Sequence, residues 1–265
     1  MLTGQRGELA PTVVAEHAAR PLTGRGRVLV NLSLQAPNSL LHDGHAWWRD
    51  PAAAILSSTR RALREAERTR AGFVVHASYA LVADVADAPR VGRQLLAIAD
   101  AAREAERLVL DSGRPACVVR LGYLYGPGMR DLRAYRRAFQ LGRPYWAGPR
   151  HNLQHHLHTT DAARALLRAA ATRPKGTVTY ATDANPASFA DFMDHFAHLV
   201  GRAHPLHLPR VSRVLVHPVV RELHQQMTDV GAPGVALAEV PGWTPNFADY
   251  RAGLAQVIEA WQRPG

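Results

Sequence analysis

Short apolar runs rich in β-branched residues alternate with long amphipathic stretches through the first half of the chain, and this alternation decides the fold class. "RVLVNLSL" (27–34), "GFVVHASYA" (72–80) and "ACVVRLGYLYG" (116–126) have the length and valine content of buried strands. Two helical stretches separate them. One runs from Asp50, an N-cap with Pro51 at the first helical position, to about residue 70. The other runs from about residue 90 to 112 and ends before Gly113, a left-handed C-cap position. Strands spaced by helices in this way call for a parallel sheet with crossover helices. A short helix (11–20) precedes the first run. After the third come a basic helix, a helix started by Thr160 or Asp161, and the short strand "GTVTYATD". A helix over 189–201 follows, opened by the capping-box pair Ser188 and Asp191, then helices near 212–228 and 248–262.

With 265 residues and 47% apolar content, the chain can bury one large core, or one main domain with a smaller appendage. It has no long uncharged apolar run and no basic-then-apolar leader, so neither a membrane span nor a secretory signal is expected. The one cysteine, Cys117, excludes an internal disulfide framework and a cysteine zinc site. A cytoplasmic protein fits these features. The net charge of +10 raises the question of nucleic acid, but the arginines of "RRALREAERTR" and "AAREAERLVL" alternate with acids at helical pair spacing. Nucleic acid is therefore not the expected partner.

Residues 129–152 are different. Arg130, Arg133, Arg136, Arg137, Arg143 and Arg150 stand against one acid, Asp131, with Tyr135, Tyr145 and Trp146 interleaved. This suits either an anionic small ligand held by guanidinium forks or a plain basic surface helix. In "HNLQHHLH", an extended backbone puts His156 and His158 on one face and His155 on the other, without a third ligand at helpful spacing, so no metal site is expected. His158 has the near-neutral pKa of a general acid or base. His76 reads as a core residue and Asp84 as a loop acid. No Gly-x-Ser-x-Gly elbow is present.

Several segments, in order, resemble the extended short-chain dehydrogenase/reductase family, the NAD-dependent epimerase/dehydratase group. They are "ILSSTRRALREAERT", "FVVHASYALVAD", "AREAERLVLDSGRPACVVRLGYLYGPG", "HTTDAARALLRAA", "GTVTYATDANPASFADFMDHFAHLVG" and "GWTPNFADYRAGL". The resemblance places Ser78 and Tyr79 around the family's assisting hydroxyl, and Tyr123 and Tyr125 at the active-site rim. "TGQRGELA" resembles the Thr-Gly-x-x-Gly-x-x-Gly turn, with Gly4 and Gly7 as cofactor-binding glycines and Ala10 in the last glycine's place. It also implies that the helices 50–70 and 90–112 build a homodimer interface.

The departures are as specific. The family's Tyr-x-x-x-Lys pair aligns with Ile98 and Ala102. The only lysine is Lys175, and the residue four before it is Ala171. Only Met1 and Leu2 precede the glycine turn, so the first strand is expected to be missing or to start upstream. The family's second and third strands have no room between Arg20 and Arg27, and its ribose-binding acid has no clear counterpart.

The expected fold is α/β, a truncated Rossmann-like parallel sheet with flanking helices and a small mixed C-terminal lobe. Residues 1–128 with 151–182 make the shortened core, and 129–150 with 183–265 make a substrate-covering lobe. The expected function is a non-redox isomerase, cyclase or lyase acting without a cofactor on an anionic or polyfunctional small molecule, by family analogy in secondary metabolism. Tyr79, Tyr123, His158 and Ser78 are the candidate catalytic residues. Tyr125, Arg120, Arg137, Arg143 and Trp146 are candidates for substrate binding. One alternative is an NAD- or NADP-dependent epimerase or reductase with relocated catalytic residues. The other is a non-catalytic binding or scaffold protein.

Overall fold

The valine-rich runs do form strands, and their neighbours fix the architecture. The computed structural model describes residues 2–3, 8–22, 26–32, 50–87, 91–208, 230 and 238–263. The loop 35–48, the glycines Gly4 and Gly7, and the helix expected near 212–228 lie outside the described residues. In chain order the elements are β1 (Leu2–Thr3), α1 (Ala10–Ala19), β2 (Val28–Asn31), α2 (Pro51–Arg68), β3 (Phe73–Tyr79), α3 (Leu81–Asp87), α4 (Arg93–Leu110), β4 (Ala116–Leu121) and β5 (Tyr123–Tyr125). They continue with α5 (Arg130–Gln140), β6 (Leu153–Gln154), β7 (His156–His158), α6 (Thr159–Thr172), β8 (Val178–Ala181), β9 (Ala187–Ser188), α7 (Phe189–Leu199) and α8 (Tyr250–Gln262).

The main sheet is parallel throughout, in the order β1-β2-β3-β4-β8. Every residue of β2 and β3 is buried, as a parallel sheet covered on both faces requires. On one face Val30, Val75, Val119 and their neighbours meet α1 and α6. On the other, Leu29, Val74 and Ala116 meet Ala62 and Ala66 of α2 and Val109 of α4. A separate aromatic core joins β5, α5, α7 and α8 through Tyr125, Tyr135, Phe139, Phe192 and Tyr250. This is the mixed lobe, which also contains the parallel pair β5-β7 and the antiparallel pair β6-β9.

Four sequence expectations change. The first strand is present, because Leu2 and Thr3 pair in parallel with Val30 and Asn31. The segment around Asp84 is the helix α3 rather than a loop. The run "ACVVRLGYLYG" is two strands. Gly122 donates to Ala181 O, but the next amide, on Tyr123, donates to His155 O and takes the chain out of the main sheet. Only glycine fits this corner, since a Cβ on Gly122 would meet the carbonyl oxygen of His155 at 2.9 Å. Finally, α6 is capped by neither Thr160 nor Asp161. His158 Nδ1 accepts from the Thr160 amide, and Asp161 turns away to accept from the amides of Asn246 and Phe247, each at 2.9 Å.

The two sheet faces also reveal a reversed connection. β1 to β2 and β2 to β3 step across the sheet in the same direction, yet α1 lies on the α6 face and α2 on the opposite one. The two connections are therefore of opposite hand. Parallel crossovers are right-handed in about 98% of cases, a hand that suits α2 and α4; α1 makes the reversed connection, and the longer excursion from β4 to β8, which steps the same way and returns along α6 on the α1 face, shares that hand.

Candidate functional site

Ligands of open parallel sheets bind beyond the carboxyl ends of the strands. Here those ends are Thr3, Asn31, Tyr79, Leu121 and Ala181. On the α4 face just below them runs a row of buried polar groups. Asn31 Nδ2 and His76 Nδ1 are 2.8 Å apart across β2 and β3. Ser78 Oγ donates to Glu106 Oε1 at 2.5 Å. Arg120 donates to both oxygens of Glu106, at 2.9 and 2.7 Å, and its third nitrogen donates to Tyr180 Oη at 2.5 Å. Only 16% of the Arg120 side chain and 6% of that of Glu106 are exposed, so this is a buried, bidentate ion pair tying α4 to the sheet.

That geometry reassigns two expected site residues. Arg120 has its guanidinium committed to Glu106 and Tyr180 and is not arranged as a substrate ligand. Ser78 has its hydroxyl committed to Glu106. Sequence reasoning missed Glu106, although a signal was there. The buried stripe of α4 is Leu95, Ile98, Ala99, Ala101, Ala102, Ala105 and Val109, and Glu106 is the one carboxylate within it.

Above this row the place of the family's tyrosine and lysine is filled by hydrocarbon. Ile98 and Ala102 are 0% and 2% exposed and pack with Ile55, Val82, Leu95 and Tyr79. The Tyr79 hydroxyl is buried without a hydrogen-bond partner in the described structure, and burial pushes its pKa far above the ordinary phenol value. Among the described residues no cation contributes to its titration, so nothing described there activates Tyr79 as a base.

Tyr123 is the expected residue that remains near the strand ends with part of its surface exposed. Burial of its phenol, with the carboxylates of Asp131 and Glu8 nearby, raises its pKa far above the usual range and keeps it protonated. Its ring stands edge-on to His156, Phe189 and Phe192. Tyr125, by contrast, is 0% exposed. It is wedged under α8, where a Cβ on Gly253 would meet its Cζ at 2.7 Å, and so it does not face the strand ends.

The histidines serve the lobe. His156 stacks on Phe192 with ring centroids 4.3 Å apart, and burial lowers its pKa to about 3. His158 is lowered to about 4 by burial, against an opposing contribution from Gln256, and its Nδ1 is the cap acceptor of α6. His158 is therefore neutral at physiological pH and is not poised as a general acid or base. Asp183, unremarked in the sequence, accepts from the His156 amide and donates its own amide to His156 O; burial raises its pKa to about 8.

The arginines do not converge. Arg133 and Arg136 lie over the Trp261 ring, and Arg130 pairs with Glu8 at 3.5 Å. Arg150 binds Asp191 and Asp194. Arg137 and Arg143 are exposed, while Trp146 is 4% exposed and belongs to the interior. No grouping of histidine, cysteine and acids suited to a metal ion occurs among the described residues.

No family model matches the chain. A Streptomyces sp. protein, 3-diazoavenalumate denitrifying reductase, is 32% identical over 175 residues, a match covering 64% of this chain and 55% of that protein. The match thus spans little more than half the length of that relative. Among solved structures, human epimerase family protein SDR39U1 (isoform 2) with NADPH superposes with a TM-score of 0.71 at 18% identity, covering 97% of this chain and 98% of that one. A UDP-glucose 4-epimerase from Thermotoga maritima, solved with UDP-glucose, gives a TM-score of 0.63 at 13% identity, covering 98% and 97%.

The described residues fit only part of the dinucleotide that such folds hold. The first turn of α1 lies beyond the carboxyl end of β1, with no side-chain cap from Leu9 and no acid in its first turn, as a phosphate requires. The strands that would carry the adenosine side are absent among the described residues. The chain has the fold of the NAD-dependent epimerase/dehydratase group of short-chain dehydrogenases/reductases.

Proposed function

We propose that the chain is a reductase for an electrophile that takes up hydride without being protonated by the enzyme. The observation that carries this reading is that buried Ile98 and Ala102 stand where the resemblance puts the tyrosine–lysine pair. A ketone reductase must protonate the developing alkoxide, so loss of that pair would cost it the proton donor. An acceptor that expels a leaving group, or is cationic from the start, has no such need. The Streptomyces relative is named for reductive chemistry on a diazo compound, which belongs to this class. In such a step the new C–H bond forms as the C–N bond breaks, and that bond's electron pair departs with dinitrogen.

A nicotinamide nucleotide would supply the hydride, its phosphate at the first turn of α1. The chain's own residues hold the acceptor and keep protons away. Tyr79, Ile98 and Ala102 form a dry wall. Tyr123, locked as a neutral phenol, orients the acceptor by donating a hydrogen bond. Residues 129–150 with the described part of 183–263 would cover the substrate, and Arg137 and Arg143 would attract a carboxylate-bearing one. A cofactor-free isomerisation or elimination in the same cleft is the second reading. It is favoured by the lack of any carboxylate from His17 to His42, where a ribose-binding acid belongs.

The test is single-turnover mixing of the protein and reduced nicotinamide nucleotide with a carboxylated arenediazonium salt and, separately, with matching ketones. Enzyme-dependent nucleotide oxidation with the first and none with the second is expected. Turnover of ketones at comparable rates would refute the reading.

A further inference from the structure

We infer that this chain recognises a nicotinamide nucleotide through its mononucleotide half alone, and that the adenosine half of a dinucleotide adds nothing to binding. The inference rests on the reductase reading above and narrows its cofactor. A doubly wound dinucleotide fold consists of two mononucleotide-binding halves, and the ligand crosses the crevice where the strand order reverses. In this sheet the order β1-β2-β3-β4-β8 never reverses. One half, β2 to β4 with α2 and α4, is complete. The other is reduced to β1 and α1, and β1 is an edge strand among the described residues.

Two further observations say that strands are missing on this side among the described residues, not that the sheet is merely short. The first is the short α1 connection, which has the reversed hand that the described sheet otherwise shows only across the much longer excursion from β4 to β8. Helix α1 occupies the face that suits a right-handed step away from β2, toward strands beyond β1 that the described residues do not contain. The chain instead leaves α1 and enters β2 directly, within residues 20–27. The second is chemical. The adenosine ribose is normally held by a carboxylate some twenty residues beyond the glycine turn. From His17 to His42 the sequence has none. Arg27, at about the expected spacing, donates to Thr69 O at 3.0 Å at the foot of β2 and does not stand beside β1.

Calorimetric titration of the full chain with NADH, NADPH and reduced nicotinamide mononucleotide tests this, with AMP as competitor. Dissociation constants within about threefold of one another, and no displacement by AMP, are expected. NADH or NADPH binding tenfold or more tightly than the mononucleotide would overturn the inference and leave the reductase reading standing. If none of the three binds at millimolar concentration, both fall and the cofactor-free reading takes their place.

Discussion

Acid stability offers the sharpest test of the buried titratable groups of the lobe and the main sheet, because two kinds of them oppose each other. Burial lowers the pKa of His156 to about 3, and those of His158 and His76 to about 4, from 6.5 in the free side chain. Their contribution to stability is complete above 6.5 and is lost as the pH falls toward those lowered values. Between pH 7 and pH 5 each histidine costs about 2 kcal/mol, or about 6 kcal/mol for the three. Asp183 runs the other way. Its pKa is raised by burial from 3.8 to about 8, so its contribution is complete below 3.8 and is lost as the pH rises through 8. Over the same interval, acidification returns about 3 kcal/mol through Asp183. The net loss is about 3 kcal/mol, a large share of a typical domain's 5–15 kcal/mol. Urea denaturation at the two pH values measures it. Asp183→Asn, which can still accept from the His156 amide, should deepen the loss to about 6 kcal/mol, and His156→Phe should shrink it to about 1 kcal/mol. Equal losses in the wild type and both variants would refute this account of the lobe.

Glu106→Gln leaves the Arg120 guanidinium buried with its charge unpaired and should cost about 3–5 kcal/mol in chemical denaturation, far more than a surface ion pair is worth. Gly253→Ala should lower stability by about 1–3 kcal/mol, because the new methyl meets the Tyr125 ring and hydroxyl; thermal melting shows it, and adding Tyr125→Leu should restore part of the loss. Cys117 is fully buried with its thiol pushed up to about 12, so a disulfide reagent at pH 8 should label it only after urea is added. The double change Ile98→Tyr with Ala102→Lys should lower the melting temperature without creating ketone reduction, since both positions lie in a close-packed apolar wall that would have to bury an ammonium.

The fold was legible where a single periodicity or cap decided it. Asp50 with Pro51, Ser188 with Asp191, and the valine runs all specify their elements locally, and the elements form where the pattern puts them. What the sequence hid was decided by partners far along the chain. The break at Gly122 depends on His155 carbonyl pairing, and the cap of α6 passes to His158 because Asp161 is drawn to the amides of Asn246 and Phe247. The candidate site shows the same division. The absence of a Tyr-x-x-x-Lys pair is visible in the letters alone. The commitment of Arg120 and Ser78 to Glu106 is not, because it needs the register Ser78–Arg120–Tyr180 across three strands. Arginine-rich composition suggested an anion site, yet most of those side chains are used on Trp261, Glu8, Asp191 and Asp194.

A sheet keeps its core at an edge strand only if a helix covers that edge. Here α1 does so. Leu9, Ala10 and Val13 share a core with α6, and Glu16 pairs with Arg164 at 3.3 Å. Moving α1 to the opposite face would give its connection the usual hand but would force it into the space of α2, whose Ala62 and Ala66 already fill that side. The reversed hand is thus the cheaper outcome, and its cost falls on the short link to β2. Its described end, at β2, is well bonded. Gly26 adopts a φ of +90°, which glycine takes at little cost, and its carbonyl accepts from Arg173 at 3.4 Å. The carbonyl of the next residue, Arg27, accepts from the Gly72 amide at 2.8 Å while its side chain reaches Thr69 O. The described end of the connection is thus tied both to the end of α6 and to the turn before β3, so the entry into β2 is set by contacts with its neighbours on either side.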